Sequence, residues 1–189
     1  MELPNLPSAA SLMPLNQRNA RRFVDSFTPL ISAQLSRFRL PHDLLQDAVQ
    51  ETLVRCLRGL KNFRGDAQLS TWVYRIAYRE GLRAQEKLKR DRSRAVSLSP
   101  LAEPADSATT YSPSFAAEQQ DEVLRVRTAM ETLPNEQRLV LGYHYLDGLS
   151  VHEIALLMSA RPNTVKSWLK RGRDSLKSTL ADPSSEDSA

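Results

Sequence analysis

Apolar residues along this chain recur three or four positions apart, the spacing of amphipathic helices, and the pattern predicts an all-α protein. Asn16 to Leu40 carries Phe23, Phe27, Leu30, Ile31, Leu35 and Phe38 in a helical pattern that Pro29 breaks and that ends before Pro41. From Pro41 to Leu60 the residues Leu45, Val49, Leu53, Cys56, Leu57 and Leu60 collect in one arc. Asp43, Asp47 and Glu51 fall on the opposite side. After the loop Lys61-Asn62-Phe63-Arg64-Gly65-Asp66, a third helix opens at Ser70-Thr71-Trp72. A fourth begins near Glu118, with Val123, Val126, Ala129, Met130 and Leu133 as its apolar side, and stops at Pro134. Asn135 to Leu146 forms the next, burying Leu139, Val140, Tyr143 and Leu146.

The stretch Leu149 to Lys177 reads as two short helices around a tight turn, a helix-turn-helix. Asp147-Gly148 turns the chain into it. Ser150 and Glu153 form a capping box ahead of Val151, Ile154, Ala155 and Met158. Arg161-Pro162-Asn163 interrupts, since proline lacks a backbone donor and fits best in a first helical turn, and the second helix starts there. At about 100° per residue, Val165, Trp168, Leu169, Gly172 and Leu176 share an inward stripe. Lys166, Lys170, Arg173 and Lys177 face outward, with Asn163, Ser167 and Arg171 toward the other edge. Long cations beside amide and hydroxyl groups suit a DNA major groove, where phosphates attract the cations and base edges hydrogen-bond to the polar groups. A solvated amphipathic helix is the plainer alternative for any single basic helix.

Two small helical domains account for these elements. The expected organisation is a disordered lead over 1–16, a first domain over 17–94, a flexible acidic linker over 95–118, a helix-turn-helix domain over 119–181 and a polar tail over 182–189. Charge supports the division. Trp72 to Arg94 holds eight Lys or Arg against three acids, and Arg161 to Lys177 six against one, while the whole chain is only +4. Two basic patches in an otherwise acidic chain suggest two contacts on one polyanion. Ala95 to Leu124 has no Lys or Arg.

The third helix repeats Arg75, Arg79, Arg83 and Lys87 every four residues, with Trp72 on their side and Tyr74 and Tyr78 elsewhere. Rings among cations suit single-stranded nucleic acid, where bases stack and cations follow the backbone. Periodicity equally allows Trp72 and Ile76 to lie in the core with the arginines in solvent. The acidic face of Asp43, Asp47 and Glu51 has three readings: a metal site, a solvated face or a docking surface. No second carboxylate cluster completes a metal site. Like charges on one helix cost roughly 0.2–0.5 kcal/mol per pair, which favours a partner over bare solvent.

The single cysteine permits no internal disulfide, and His42, His144 and His152 form no zinc-ligand spacing with it. Cys56 is expected as a small buried hydrophobe, and the histidines as surface or packing residues. No catalytic residue, metal or cofactor is expected. Glu2 and prolines 4, 7 and 14 stand where a signal peptide needs cations and an apolar core, and no run of about eighteen apolar residues spans a membrane. A reducing cytoplasm fits.

In this order the two units resemble the bacterial extracytoplasmic-function sigma factors of the sigma-70 family, over roughly Phe23 to Leu180. DLLQDAVQETLVRCLRGLKNFRG followed by STWVYRIA looks like regions 2.2 to 2.4, and LPNEQRLVLGYHYLDGLSVHEIALLMSARPNTVKSWLKRGRDSL like regions 4.1 and 4.2. The resemblance implies core RNA polymerase (beta-prime and beta subunits), promoter DNA and an anti-sigma factor as partners, in a bacterial cytoplasm or held at the inner membrane by the anti-sigma factor. By it, Asp47, Gln50 and Glu51 dock on the polymerase. Phe63, Arg64, Trp72, Arg75, Arg79 and Arg83 engage the minus-10 element. Asn163, Thr164, Lys166, Ser167, Lys170, Arg171 and Arg173 read the minus-35 element. Arg79 stands where the family often has Asn, Arg83 where it often has Asp or Asn, Trp168 where it usually has Arg, and the proline at 162 is shifted by one residue. Two rivals remain: a LuxR-type regulator binding operators without polymerase, and a metal-dependent nucleic-acid hydrolase using Asp43, Asp47 and Glu51.

Overall fold

The computed structural model describes residues 6–98 and 117–181, and among these every regular element is helical. Contacts divide the chain into two compact units, Met1–Thr109 and Thr110–Ala189.

In the first unit, α1 (Gln17–Ser36), α2 (His42–Leu60) and α3 (Leu69–Leu98) all pack against one another. Asn16 caps α1, its side chain accepting from the Asn19 backbone N–H at 2.9 Å. Phe23 and Phe27 stack with ring centroids 4.5 Å apart, and Ile31, Leu35 and Phe38 continue the same buried row. Full burial of such side chains stabilises the unit by about 1.5–3 kcal/mol each. Pro29 does not break α1 as its place in the pattern suggests: the helix runs through it. The ring is exposed to solvent while Phe27, Leu30 and Ile31 around it are buried, so packing outweighs one lost backbone bond.

The lead is not disordered over its described part. Ala10–Leu12 makes one 3-10 turn against α1, and Leu12 is fully buried; residues 1–5 lie outside the described residues. An apolar side chain that finds the core holds its segment in place.

The buried side of α2 is rotated from the apolar arc. Ala48, Thr52, Cys56 and Leu60 are buried, whereas Leu45, Val49, Leu53 and Leu57 are half-buried. Thr52 fits because its hydroxyl donates to the Ala48 carbonyl at 2.7 Å. Burial, helped by the negative charge of Glu80, pushes the Cys56 thiol up to about 12, so it is not a thiolate at neutral pH. Near the middle of α3, Gly81 meets the Phe38 ring so closely that an added Cβ would lie 2.5 Å from it. Gln85 Nε2 donates to the Phe38 carbonyl at 2.9 Å beside this contact.

The second unit is assembled on α7 (Pro162–Ala181), against which α4 (Ala117–Thr132), α5 (Asn135–Leu141) and α6 (Val151–Met158) all pack. Gly172 permits the α5 approach, since a Cβ there would come within 2.8 Å of Leu141. Ala129 and Leu133 at the end of α4 are buried, but Val123 and Val126 are 67% and 39% exposed, contrary to the expected apolar side. The buried contact of α4 begins only at Ala129, six residues after Val123 and three after Val126. Arg138 is buried, its guanidinium donating to the Leu133 carbonyl and Asn135 Oδ1, both at 3.0 Å. This bridges the turn at Pro134. After Leu141 the chain widens into a π-helical turn, Gly142–Leu146. The register slips there, and Leu146 is exposed rather than buried.

Residues 95–98 belong to α3 and 117–118 to α4, so helix occupies both ends of the expected linker; its middle and the tail 182–189 lie outside the described residues. No described helix is long and apolar enough to cross a membrane.

Gly81→Ala should destabilise the first unit by about 1–3 kcal/mol, because the buried Phe38 ring must shift. Urea unfolding of the variant against the parent checks this; equal midpoints would mean the ring moves freely.

Candidate nucleic-acid interface

The helix-turn-helix forms from local chemistry. Ser150 Oγ accepts from the Glu153 N–H at 3.2 Å while Glu153 Oε2 accepts from the Ser150 N–H at 2.8 Å, completing the capping box. The Ser150 hydroxyl, and then its backbone N–H, hold the Glu153 carboxyl below its ordinary 4.5. Upstream, Gly148 sits at φ 70, a conformation glycine adopts without strain. His144 Nδ1 donates to the Leu149 carbonyl at 2.9 Å, which ties the π turn to the entry of α6 and makes this histidine a packing residue. Ser159 ends α6 at φ 54, and the Ala160 N–H closes on the Ala155 carbonyl at 2.9 Å. This left-handed cap is not legible in the sequence, because such a position is usually glycine or asparagine and here it is serine.

α7 therefore begins at Pro162, with Val165, Leu169 and Gly172 buried and Trp168 and Leu176 half-buried. Asn163, Lys166, Ser167, Lys170, Arg171, Arg173 and Lys177 are exposed together, and Thr164 is half-buried at their edge. The Ser167 hydroxyl donates to the Asn163 carbonyl at 2.9 Å, leaving its lone pairs free to accept. Arg173 Nη1 donates to the Tyr145 hydroxyl at 3.2 Å, a contact that raises its pKa and steadies its guanidinium.

In the first unit the structure brings Phe63 and Trp72 together, ring centroids 5.4 Å apart and planes tilted by 59°. Both are half-buried; Trp72 lies over the end of α2, so close to Gly59 that a Cβ there would be 2.9 Å from its ring. Arg64, Arg75, Arg79 and Arg83 are exposed. Tyr74 is only 2% exposed and belongs to the core, and Tyr78 packs on Phe38 with centroids 6.0 Å apart. Of the rings on α3, Trp72 is the one that shares a surface with the arginines.

Glu80 was not foreseen. Its side chain is buried, accepting from Arg55 Nε at 2.9 Å and paired with Arg83. The signal was there: at helical spacing Glu80 falls on the side of Leu69, Val73 and Ala77, which are buried. On α2, Asp43, Asp47 and Gln50 are exposed, and Glu51 pairs with Arg55 at 2.8 Å. Among the described residues no group of three or more His, Cys, Asp or Glu is placed to hold a metal.

Fold and surface together define an all-helical protein of two units, one carrying a helix-turn-helix with an exposed cationic face. Known proteins sharpen that class. The family description "Sigma-70 region 2" matches residues 23–92, and "Sigma-70, region 4" matches residues 124–176. The chain is 31% identical over 153 residues to the ECF RNA polymerase sigma-E factor of Escherichia coli K12, covering 77% of this chain and 78% of that one. It is 30% identical over 151 residues to the RNA polymerase sigma-H factor of Pseudomonas aeruginosa, covering 75% and 77%. Its fold matches the sigma factor RpoE of Bartonella quintana, solved with the anti-sigma factor NepR, at TM-score 0.68 and 21% identity over 88% of this chain and 99% of that one. It also matches CnrH, solved with the cytosolic domain of CnrY, at TM-score 0.61 and 22% identity over 93% and 96%. The chain belongs to the extracytoplasmic-function sigma factors of the sigma-70 family.

Ser150→Ala should lower the stability of the second unit by about 1 kcal/mol. Because the folded Glu153 carboxyl titrates below its ordinary 4.5, its share of this stabilisation is complete above that pH and lost as pH falls through the folded value. The gap between parent and variant in denaturant unfolding should therefore narrow, without vanishing, below pH 4.5. A constant gap would mean the carboxylate contributes nothing.

Proposed function

We propose that this chain joins core RNA polymerase and directs it to a set of promoters, performing no covalent chemistry itself. The observation that carries the reading is the pairing of two exposed basic faces, on α3 and on α7, in units that match sigma-70 regions 2 and 4. The domains over 17–94 and 119–181 are assigned to minus-10 and minus-35 recognition respectively. In the second, Asn163, Thr164, Lys166, Ser167, Lys170, Arg171 and Arg173 face the major groove, the long cations taking phosphates or guanine edges. In the first, Phe63, Arg64, Trp72, Arg75, Arg79 and Arg83 hold the opened non-template strand. Unstacking a base costs a few kcal/mol, which ring contact with Phe63 or Trp72 and polymerase binding offset.

Asp47, Gln50 and Glu51 on α2 are assigned to the polymerase. The exposure of Asp47 and Gln50 beside the half-buried Glu51 supports this, as does the half-buried apolar strip of Leu53 and Leu57 on the same helix, which a partner would finish covering. An operator-binding regulator of the LuxR type leaves that face and the whole first unit without a role. An anti-sigma factor is the inferred inhibitor, supported by the fold relatives solved with NepR and with the cytosolic domain of CnrY. The exposed Val123, Leu124 and Val126 of α4 offer such a partner apolar surface. The inferred location is the bacterial cytoplasm, with retention at the inner membrane through the anti-sigma factor.

The test is transcription in vitro from a genomic library with purified core polymerase, with and without this chain, mapping the 5′ ends. New starts that share paired upstream elements are expected; none from folded, inhibitor-free protein would favour the operator-binding regulator. On a promoter so found, Lys166→Ala or Arg171→Ala should weaken minus-35 recognition by about 1–3 kcal/mol where the residue reads a base edge, with polymerase affinity unchanged. Asp47→Lys with Glu51→Lys should reduce polymerase affinity while the DNA-binding face of the second unit keeps its thermal stability. A double variant that assembles normally would remove α2 from the docking surface.

A further inference from the structure

Arg55 and Arg58 of α2 face Arg79 and Arg83 of α3 across a cleft of about 340 Å³, whose remaining lining is Ile76 and Glu80. Four guanidiniums here meet one carboxylate inside the cleft, Glu80, and one at its margin, Glu51. Arg58 and Arg79 pair with no carboxylate among the described residues. Like charges gathered this closely repel one another unless an anion enters between them. Ile76 is the only apolar lining residue and no ring lines the cleft, so it offers a phosphate more than it offers a base.

Glu80 gives the arrangement its geometry. Its side chain is only 7% exposed, a burial that costs stability unless the charge is paired, and it holds Arg55 from one helix and Arg83 from the other. Guanidiniums anchored in this way lose less freedom when they bind a phosphate. We propose that the cleft between α2 and α3 is a phosphodiester-binding site for the DNA strand held by the first unit, formed by Arg55, Arg58, Arg79 and Arg83, with Glu80 as its positioning residue. The site rests on the minus-10 assignment of α3 and extends it to α2, a helix otherwise assigned to the polymerase. A free nucleotide would present the same phosphate chemistry.

The experiment uses the full chain assembled with core polymerase and a fluorescent fork-junction promoter DNA whose minus-10 non-template strand is single, titrated across a salt series. Arg58→Gln removes a cation that is exposed and unpaired, so folding is spared. It should weaken binding about tenfold and reduce the slope of log affinity against log salt by about 0.7. Holoenzyme assembly should be unchanged. Glu80→Gln raises the positive charge of the cleft yet should also weaken binding, because Arg55 and Arg83 lose their anchor. Tighter binding would overturn the positioning role, and if this variant does not fold, Arg58→Gln alone decides the site. An unchanged salt slope with weaker assembly would make Arg58 a polymerase contact and overturn the proposal. Uptake of labelled ATP by the parent in equilibrium dialysis, lost in Arg58→Gln with the DNA slope unchanged, would assign the cleft to a free nucleotide instead. Wild-type holoenzyme that binds no promoter DNA would overturn the minus-10 reading itself, whereas normal binding with an insensitive Arg58→Gln defeats only the cleft.

Discussion

One buried carboxylate sets the geometry of the first unit. Desolvating an ion costs several kcal/mol, so Glu80 is tolerated in the core because Arg55 and Arg83 reach it from two helices. Both arginines stay roughly half exposed, with side chains 43% and 57% accessible. Solvent screens the pairs from that side, and they add modestly to overall stability. Their larger effect is directional. A core of apolar side chains alone would accept small slides of α3 along α2, whereas a charge that must keep its partners does not. The same ion pairs run from Glu51 through Arg55 and Glu80 to Arg83, from the acidic side of α2 to the basic side of α3. The surface assigned to polymerase and the surface assigned to DNA thus share a guanidinium.

The second unit solves its positioning problem with backbone conformation instead of charge. α7 is the hub, and its outward face can be cationic only because its inward face has Val165, Leu169 and a glycine where α5 comes closest. The direction in which α7 leaves α6 is set by one residue in the left-handed region, Ser159, and by proline at the first helical position. A non-glycine residue there carries a cost of roughly 1–3 kcal/mol, which the buried Ile154, Ala155, Leu157 and Met158 of α6 outweigh.

The elements that could be read from sequence were those whose chemistry is local. The capping box at Ser150 and Glu153, the helix start at Pro162, the inward stripe of α7 and the burial of Cys56 all follow from residues within a turn of one another. What failed depended on what a helix packs against. The buried side of α2 is centred on Ala48, Thr52 and Cys56, small side chains on a helix that packs against both α1 and α3, and most of its leucines lie at the margins. Leu12 fell within the lead expected to be disordered, yet one apolar side chain sufficed to seat its segment. The π turn displaced Leu146, and nothing in its spacing signals an i→i+5 bond. Of the candidate DNA-facing residues, the α7 set emerged as a single exposed face, while the α3 set divided: Trp72 joined Phe63, and Arg83 turned partly toward Glu80.

Charge distribution explains why two modest faces can suffice. The chain as a whole is only +4, so it has little general attraction for DNA at physiological salt. Each basic face alone offers a handful of phosphate contacts, and affinity of that kind falls steeply with ionic strength. With both faces assigned to DNA as proposed, the second contact becomes intramolecular once the chain is carried on one polymerase, so two weak readers would act as one strong one when a promoter presents both elements to them together. Selectivity then comes from requiring both contacts rather than from the strength of either. A larger net charge would work against this, because a first unit that held any DNA tightly would bind without waiting for the second.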